Sequence, residues 1–479
     1  MALSRKPQEI VEDSKNPLLA KHESWERVPV GDIADILNGF AFKSSKFTND
    51  KGMPLIRIRD VGKDSSETFY DGEYDETYLV NDGDLLVGMD GDFRAAIWNG
   101  GNALLNQRVC KISLKTDEYD FKFLSYVLQP YLDAIHAETS AVTVKHLSSR
   151  SISEIPLPLP PKEQQKRIVA KIEELFSHID AGIEALKKAK QFLKKYRQSV
   201  LKAAVTGKLT KEWREENKDK LEPASQLLER ILKERHEKWE EQQLEQFKAK
   251  GKMPKDDNWK EKYKEPEKAV VDNLPELPNK WDWVSLDLVS KPGRALTYGV
   301  IKLGDHLENG VPVLRSSNVR HLNIELKGLK KIDPKLSDKY SRTILQGGEV
   351  VITVRGTLGG VAAVPDEYLG WNVSREVVVI PALKYFDSQC LAMFIGSLPI
   401  QNWFNRNTKG IAYTGINIET LKEAPVPLVS LEEQKEITQI VSEKLDAIQR
   451  LDEEIDVQIV KAEKNKQSAL ASAFSGELK

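Results

Sequence analysis

The sequence is poor in cysteine and contains no long apolar run. Its 479 residues include only Cys110 and Cys390, which lie far apart in apolar contexts. Two distant cysteines do not form a disulfide framework, so we expect buried thiols in a reducing compartment. No stretch of about 18 apolar residues occurs, which argues against a membrane span. Because the first residues contain no apolar core of signal-peptide length, we expect a cytoplasmic location.

The sequence also lacks the motifs of several enzyme classes. There is no G-x-x-x-x-G-K-[ST] loop to hold a triphosphate and no G-x-S-x-G elbow for a serine nucleophile. The seven histidines are scattered, without metal-ligand spacing. Asp90 and Asp92 in GMDGDF are able to bind a cation, but aspartate is common in Gly-rich turns. We therefore predict neither catalytic residues nor a metal site.

The overall charge is nearly balanced. The formal net charge is -2, although 30% of the residues are charged and 40% are hydrophobic. This composition fits a globular protein with extended, heavily charged helices. It argues against nucleic acid wrapping the whole surface, but it allows local basic faces.

The chain contains an internal duplication. Pro156 and Pro425 are 269 positions apart, and Gln165 and Gln434 keep this offset. The match continues without a gap to GKL at 207–209 and GEL at 476–478. Upstream, GMPLIRIRDV resembles GVPVLRSSNV, with small changes of offset. The sequence therefore predicts a globular unit and a helix, followed by a second copy of both.

Both copies of the repeat predict a long helix with an apolar seam. Apolar residues between 168 and 203, including Tyr196, recur at steps of three and four, as in a coiled coil. Leu451 belongs to the matching seam of the second copy. Because a lone helix cannot bury a seam, we predict that the two helices pair. The alternative is two separate amphipathic helices, each on its own domain.

The prolines that precede each helix predict an extended strand. Proline lacks a backbone N–H and restricts the residue before it, so PLPLPP and PVPL fix where each helix begins. The globular units combine strand patterns such as DLLVG and EVVITV with Gly-rich turns such as RGTLGG.

Residues 208–270 have no counterpart in the second copy. Their composition predicts a helix with one apolar face, formed by Leu227, Leu228, Ile231, Leu232 and Trp239. A solvated connector and a docking surface for another subunit are both open interpretations.

Three features together resemble the DNA-specificity (S) subunit of type I restriction-modification systems. These are the two P-x-P-L-x-x-x-E-x-Q-K segments, the LKAAVTGKL helix end, and the central stretch with GKLTKEWRE, PASQLLERI and LPELPNKWDWV. The resemblance covers most of the chain. It implies that each globular unit is a target recognition domain, which reads one half of a bipartite site in double-stranded DNA.

The same resemblance implies the architecture and the partners. The fold class is α+β, with two mixed-β target recognition domains joined by two long antiparallel coiled-coil helices in a pseudo-two-fold duplication. The chain is a non-catalytic subunit without a cofactor of its own. S-adenosylmethionine, ATP and Mg are expected on its partners, which are two modification (methyltransferase) subunits and the restriction (translocase) subunits. The predicted segments are an N-terminal segment (1–24), target recognition domain 1 (25–160), a central helix (161–207), a charged helical linker (208–278), target recognition domain 2 (279–429) and a C-terminal helix (430–479).

The candidate DNA-contacting residues are basic or polar side chains of the two domains, because such groups bind phosphates and base edges. In the first domain they are Lys43, Ser44, Lys46, Arg57, Arg59, Arg94, Arg108, Lys145 and His146. In the second domain they are Arg315, Ser317, Asn318, Arg320, Arg355, Arg375, Lys409 and Tyr413.

Two of these predictions have equally simple alternatives. Arg57 and Arg315 occupy the same place in the repeat, and a structural ion pair explains such a pair as well as DNA contact does. The loop 407–417 is polar and glycine-bearing, and we expect it against DNA; an ordinary surface loop is the alternative.

Two other functions fit parts of the sequence. One is a coiled-coil interaction protein with two sensor-like globular heads, which would not bind DNA. The other is an enzyme that fuses recognition with methylation. The missing cofactor loop and the missing N-P-P-[FY] motif disfavour the second, because KNPLL at 15–19 does not match that motif.

Overall fold

The structure is a computed structural model that describes residues 5–138, 146–251, 253–254, 256–356, 358–407 and 415–477. It divides into two compact units. The first unit comprises residues 1–188 and 455–479, and the second comprises residues 189–454. Across the described ranges, no helix is both long enough and apolar enough to cross a membrane.

The first half of the chain forms a mixed-β domain followed by a long helix. Its strands are β1 (Glu26–Pro29), β2 (Ala34–Asn38), β3 (Phe47–Thr48), β4 (Met53–Ile56), β5 (Phe69–Tyr70), β6 (Leu79–Val80), β7 (Leu85–Gly88), β8 (Ala95–Ile97), β9 (Ala103–Leu105), β10 (Val109–Leu114) and β11 (Pro156–Leu159). Its helices are α1 (Pro7–Glu12), α2 (Val30–Ile33), α3 (Phe121–Glu138), α4 (Ser149–Ser153) and α5 (Lys162–Val205).

The second half repeats this order after an inserted helical segment. Its strands are β12 (Asp282–Ser285), β13 (Thr297–Tyr298), β14 (Val311–Leu314), β15 (Val319–Arg320), β16 (Asn323–Ile324), β17 (Lys330–Ile332), β18 (Glu349–Thr353), β19 (Val361–Ala363), β20 (Asn372–Val373), β21 (Val377–Pro381) and β22 (Pro425–Leu428). Its helices are α6 (Lys211–Glu216), α7 (Ala224–Ala249), α8 (Pro334–Asp338), α9 (Ser388–Gly396), α10 (Leu398–Asn407), α11 (Ile418–Lys422) and α12 (Leu431–Phe474).

Each domain has its own four-stranded main sheet, and the two sheets have the same strand arrangement. The strand order is β2-β10-β7-β8 in the first domain and β13-β21-β18-β19 in the second, so matching strands hold matching places. In both domains the proline-rich strand before the long helix pairs antiparallel with the first strand of the domain, β11 with β1 and β22 with β12. The predicted duplication and the predicted extended proline strands are therefore confirmed.

The rest of each domain has diverged around one shared parallel pair. Strand β4 pairs with β9, and β14 pairs with β20, but the first domain builds a five-stranded sheet there and the second a three-stranded one. A glycine beside each pair is fixed by space. A Cβ at Gly39 would lie 2.0 Å from the Asn106 carbonyl oxygen, and at Gly299 it would lie 1.8 Å from that of Val373. Only glycine permits so close an approach.

Both cysteines are buried within these domains. Cys110 lies on β10 and Cys390 on α9, and both are free thiols with no exposed surface. Burial raises the pKa of Cys110 to about 12 and that of Cys390 above its ordinary range, because a thiolate is poorly solvated in an apolar core. The prediction of buried thiols is confirmed.

A buried glutamine fixes the start of each long helix to its own domain. The side chain of Gln165 accepts a hydrogen bond from the Asp120 backbone N–H (2.7 Å) and donates to the carbonyls of Glu118 (2.9 Å) and Pro160 (2.7 Å). Both glutamines of the repeat, Gln165 and Gln434, have no exposed surface. Because a buried amide is costly without partners, these contacts explain why glutamine recurs there.

The long helices contact one another within each unit. In the second unit, Lys190 Nζ lies 3.5 Å from Asp452 Oδ2, and Arg197 Nη2 donates to Gln449 Oε1 at 3.3 Å. In the first unit, Lys466 pairs with Asp180. In the second unit, numbers rise along α5 as they fall along α12, so the contacting segments there are antiparallel.

The predicted apolar seam is interrupted. Tyr196 remains 49% exposed and Leu451 54% exposed, so assigning them to a buried seam was wrong. By contrast, Ile172 and Val441, near the helix beginnings, are fully buried against the domain cores. The domains therefore bury the helix beginnings, and the described middle portions are more open to solvent.

The inserted segment packs against the second domain. Leu227 and Ile231 of α7 are buried in the core of that domain, with Leu228 and Leu232 partly buried beside them. Arg235 donates hydrogen bonds to the carbonyl oxygens of Leu288 (3.1 Å) and Ser290 (2.5 Å). The predicted apolar face is confirmed for these four leucine and isoleucine residues, whereas Trp239 packs against Trp259 and Tyr263 instead. The solvated-connector interpretation of α7 is wrong.

A buried network joins this segment to the start of α12. Glu433 Oε1 accepts from Arg214 Nε (2.8 Å) and from the Thr210 hydroxyl (2.7 Å), and its Oε2 accepts from Trp281 Nε1 (3.0 Å). The Arg214 guanidinium also lies 5.1 Å above the centre of the Trp281 ring. Every polar atom of the Glu433 carboxylate is thus satisfied without water.

Candidate nucleic-acid interface

The turn between β7 and β8 gathers several predicted residues around one carboxylate. Asp90 Oδ2 lies 2.9 Å from Arg108 Nη1, and Asp90 Oδ1 lies 2.6 Å from His146 Nδ1. The Asp90 side chain is 16% exposed, whereas those of Arg108 and His146 are 64% and 44% exposed. The carboxylate therefore sits behind two exposed nitrogen-bearing groups.

A groove lies beside this carboxylate in the first domain. Its lining includes Arg59, Arg94 and Arg108 together with Asp90 and Asp92. The Arg94 side chain crosses directly over Gly62, where a Cβ would lie 2.4 Å from Arg94 Nε. Arg59 donates to the Thr68 hydroxyl at 3.0 Å. Sequence reasoning named these three arginines and His146, and the structure brings all four to the groove or to its carboxylate.

The backbone around this carboxylate is unusual. Phe93 and Arg108 both have left-handed backbone conformations, with φ of 51° and 69°. Left-handed residues other than glycine are uncommon and cost roughly 1–2 kcal/mol each. Such conformations concentrate at functional sites, where the surrounding structure holds them.

The second domain has an exposed arginine, Arg355, at the equivalent turn between β18 and β19. Arg355 forms an isolated antiparallel bridge with Gly415, as Asp90 does with His146 in the first domain. The Arg355 guanidinium lies 5.3 Å from the centre of the Tyr298 ring. The two domains thus present opposite charges at the same place in the repeat.

Beside this arginine lies a second carboxylate that the sequence did not reveal. The Ser316 hydroxyl donates to Glu376 Oε2 at 2.7 Å, and a Cβ on Gly356 would lie 3.2 Å from the Ser316 oxygen. Neither Ser316 nor Glu376 was predicted. No spacing rule signals them, because they come from a strand end and a turn sixty positions apart.

The matched residues Arg57 and Arg315 begin the same tight turn. The backbone N–H of Arg57 donates to Asp60 Oδ2 at 2.9 Å, and that of Arg315 donates to Asn318 Oδ1 at 3.1 Å. The Arg315 guanidinium also donates to the Gly328 carbonyl at 2.6 Å. These backbone hydrogen bonds would form with any residue other than proline at the two positions, so they explain the matching turn but not why arginine recurs there.

Asn318 is unsuited to contact DNA in this structure. Its side chain has no exposed surface, and its amide nitrogen donates to the carbonyls of Glu325 (2.9 Å) and Lys327 (3.3 Å). These hydrogen bonds use the amide donors of Asn318 to hold the loop, so the prediction that Asn318 contacts DNA is not supported by its environment.

The remaining predicted residues lie apart from the groove. Lys43, Ser44 and Lys46 form an exposed turn before β3. In the second domain Ser317 and Arg375 are exposed, and Arg320 pairs with Glu325 at 3.0 Å. Lys145, Lys409 and Tyr413, with most of the loop predicted at 407–417, fall outside the described residues.

No metal centre is evident in the part of the chain that the structure describes. Within it, no group of three or more histidine, cysteine, aspartate or glutamate side chains is arranged to hold a metal ion. Asp90, considered above as a cation ligand, is instead paired with Arg108 and His146.

The sequence matches a family described as the type I restriction modification DNA specificity domain, over residues 22–190 and 278–460. It is 36% identical over 480 aligned positions to the EcoBI specificity subunit of a type I restriction enzyme from Escherichia coli, covering 100% of this chain and 91% of that protein. It is 24% identical to the EcoDI specificity subunit of Escherichia coli, covering 95% of this chain and 88% of that protein.

A solved structure shares the fold. It is a chain from a study of complex assembly and conformational transition of the type I restriction-modification system, with a TM-score of 0.61 and 15% identity. The match covers 96% of this chain and 99% of that chain.

Proposed function

Because the chain belongs to the type I restriction modification DNA specificity family, we propose that its two domains each read one half of a bipartite site in double-stranded DNA. The observation that carries this proposal is that equivalent turns of the two domains carry different charged side chains. The turn of the first domain holds Asp90 with Arg108 and His146, and that of the second holds Arg355. Exposed arginines in a groove are suited to phosphates and to guanine edges.

The proposed contact set keeps the sequence-predicted residues of both domains except Asn318. It consists of Lys43, Ser44, Lys46, Arg57, Arg59, Arg94, Arg108, Lys145, His146, Arg315, Ser317, Arg320, Arg355, Arg375, Lys409 and Tyr413. Different residues at equivalent places support the idea that the two domains read different half-site sequences.

We further propose that the two long helices act as a paired antiparallel spacer that sets the distance between the half-sites. Each helix has 44 residues, which corresponds to about 66 Å at 1.5 Å per residue. The gap-free sequence match of the two helices supports this role, because unconstrained segments tolerate insertions.

The proposed partners are two modification subunits, which use S-adenosylmethionine to methylate adenine, and restriction subunits that use ATP and Mg. In this proposal the chain is non-catalytic and carries no cofactor. It acts in the cytoplasm, where free thiols such as Cys110 and Cys390 stay reduced. Support comes from the relatives, whose names describe specificity subunits of type I restriction enzymes.

The test is co-expression with the methyltransferase encoded beside this chain, in a host without DNA methylation. Methylated adenines are then mapped by long-read sequencing. We expect two short specific blocks separated by a fixed stretch of unspecified bases. A contiguous methylated motif would contradict the two-domain proposal, and methyl transfer by the purified chain alone would contradict its non-catalytic role.

The alternative of a coiled-coil interaction protein predicts no affinity for DNA. A titration of a labelled duplex at several salt concentrations separates the two. A chain that contacts six to ten phosphates should lose roughly 10³- to 10⁵-fold in affinity between 50 and 200 mM salt. Absent binding, with a folded protein, would favour the alternative.

A further inference from the structure

Both oxygens of the Asp90 carboxylate are engaged by side chains of the same domain. One oxygen pairs with Arg108 and the other with His146, at 2.9 and 2.6 Å. The three residues come from a hairpin turn, from the residue before β10 and from the residue bridged to Asp90. Their side chains are brought together by the fold rather than by sequence proximity, so each fixes the others' orientation.

This arrangement changes how the first domain presents its positive charge. An unpaired exposed arginine attracts any phosphate, whatever the sequence. Arg108 must share its charge with Asp90, so its attraction for DNA in general is weakened. Arg108 lines the same groove as Arg59 and Arg94, and its guanidinium has five donors, so donors beyond the Asp90 contact remain for a ligand.

The second domain supplies the contrast. Arg355, at the equivalent turn, is positioned over the Tyr298 ring. Contact with a neutral ring does not neutralise the positive charge of the guanidinium. Within one chain, the same hairpin position therefore carries a negative charge in one domain and a positive charge in the other.

We propose that Asp90 is a specificity-determining positioning residue, which orients Arg108 and His146 and suppresses their binding to non-target DNA. Specific recognition can be improved by penalising wrong partners as well as by favouring the right one. A target half-site gains from pre-oriented donors, whereas a random sequence must bind next to a carboxylate that repels its phosphates. This inference rests on the proposed DNA-recognition function.

The alternative is an ordinary surface ion pair, which contributes little to stability and nothing to recognition. Asp92 provides a matched control, because it is exposed, lies in the same turn and lines the same groove. Asp92→Asn also removes one negative charge from this turn, but it leaves the contacts of Asp90 with Arg108 and His146 intact.

The experiment uses the full chain with Asp90→Asn, Asp90→Glu and Asp92→Asn, beside the unchanged protein. Each is used to select from a pool of DNA duplexes randomised over thirty base pairs. Each is also titrated with one fixed duplex of unrelated sequence, at several salt concentrations. Thermal unfolding of each variant shows whether it is folded.

We expect Asp90→Asn to bind the unrelated duplex more tightly and to lose roughly 5- to 100-fold in discrimination at one half-site. The other half-site should be unchanged. Asp92→Asn should bind the unrelated duplex more tightly without losing half-site discrimination. Asp90→Glu keeps the carboxylate, so it should lose less discrimination than Asp90→Asn.

Three results would overturn the inference. They are unchanged half-site discrimination in Asp90→Asn, an equal loss at both half-sites, and an equal loss in Asp92→Asn. If the unchanged protein selects no sequence at all, the proposed function itself fails, which is distinguishable because no variant is involved.

Discussion

Gln165 and Gln434 make the same three hydrogen bonds at the beginnings of the two long helices. Gln434 accepts from the Asp387 backbone N–H at 2.8 Å and donates to the carbonyls of Tyr385 (2.9 Å) and Val429 (2.8 Å). Gln165 contacts Asp120, Glu118 and Pro160 in the same way. Each glutamine thereby joins two backbone segments of one domain, 118–120 and Pro160 in the first and 385–387 and Val429 in the second, to one helix.

Replacing Gln165 with methionine should destabilise the first unit. Methionine has a similar shape, but it leaves the buried Pro160 carbonyl and the partly buried Asp120 N–H and Glu118 carbonyl without this partner, at a cost of about 1–3 kcal/mol. Hydrogen exchange of peptides around 118–124 should accelerate, while peptides around 385–391 keep their rates. Gln164→Met is the control, because Gln164 is only partly buried. Equal acceleration in both variants would contradict the special role of Gln165.

Replacing Arg214 with methionine should destabilise the second unit by about 3 kcal/mol, because Glu433 would keep a buried, unpaired charge. Urea unfolding measures this change. A second substitution, Glu433→Leu, should recover part of the loss. Lys166→Met is the control, since Lys166 and Glu163 are exposed and should matter little. Failure of the double variant to recover would argue against an unpaired charge as the cause.

Stability should fall at alkaline pH through the two buried thiols. The folded pKa of Cys110 is raised to about 12 from an ordinary value of 9.0, so the unfolded chain loses the proton first. The stabilisation is complete below about pH 9 and decreases between pH 9 and 12, by about 1.4 kcal/mol per pH unit. Chemical unfolding from pH 8 to 10.5 should show a shallower decline in Cys110→Ala. An identical decline would contradict this origin.

Replacing Arg355 with alanine should relax recognition at one half-site only. We expect a loss of roughly 5- to 100-fold in base discrimination there, because a bidentate arginine contact has about that value. Selection from randomised duplexes followed by sequencing measures both half-sites together. Arg342→Ala controls for lost charge, as Arg342 is an exposed arginine outside the proposed contact set. We expect Arg315→Ala to affect this same half-site alone; equal losses at both would show that the domains do not read independently.

The repeat made much of the architecture predictable. The constant offset between the proline pairs and between the glutamine pairs predicted the two helices and the strands before them. Proline constrains the local backbone, and a sequence repeat indicates the same local structure in both copies. The seam was less predictable. Tyr196 and Leu451 fit a heptad spacing, yet both remain largely exposed, because the domains rather than a continuous helix pair bury the helix beginnings.

The site was only partly predictable. Listing arginines found Arg59, Arg94 and Arg108, since positive charge is visible in a sequence. The role of Asp90 was not visible, because its partners Arg108 and His146 lie 18 and 56 positions away and are united only by the fold. Asn318 was misjudged for a related reason, since sequence does not show whether an amide is exposed.

The division of the chain into units has a consequence for its synthesis. The second unit contains residues 189–454 without interruption, but the first unit needs residues 455–479 as well. Ala473 and Phe474 belong to the core of the first unit, and the Phe474 ring meets that of Phe123 edge-on. During translation, the core of the first domain therefore stays incomplete until the second unit has been synthesised. Only then do residues 455–479 become available to complete it.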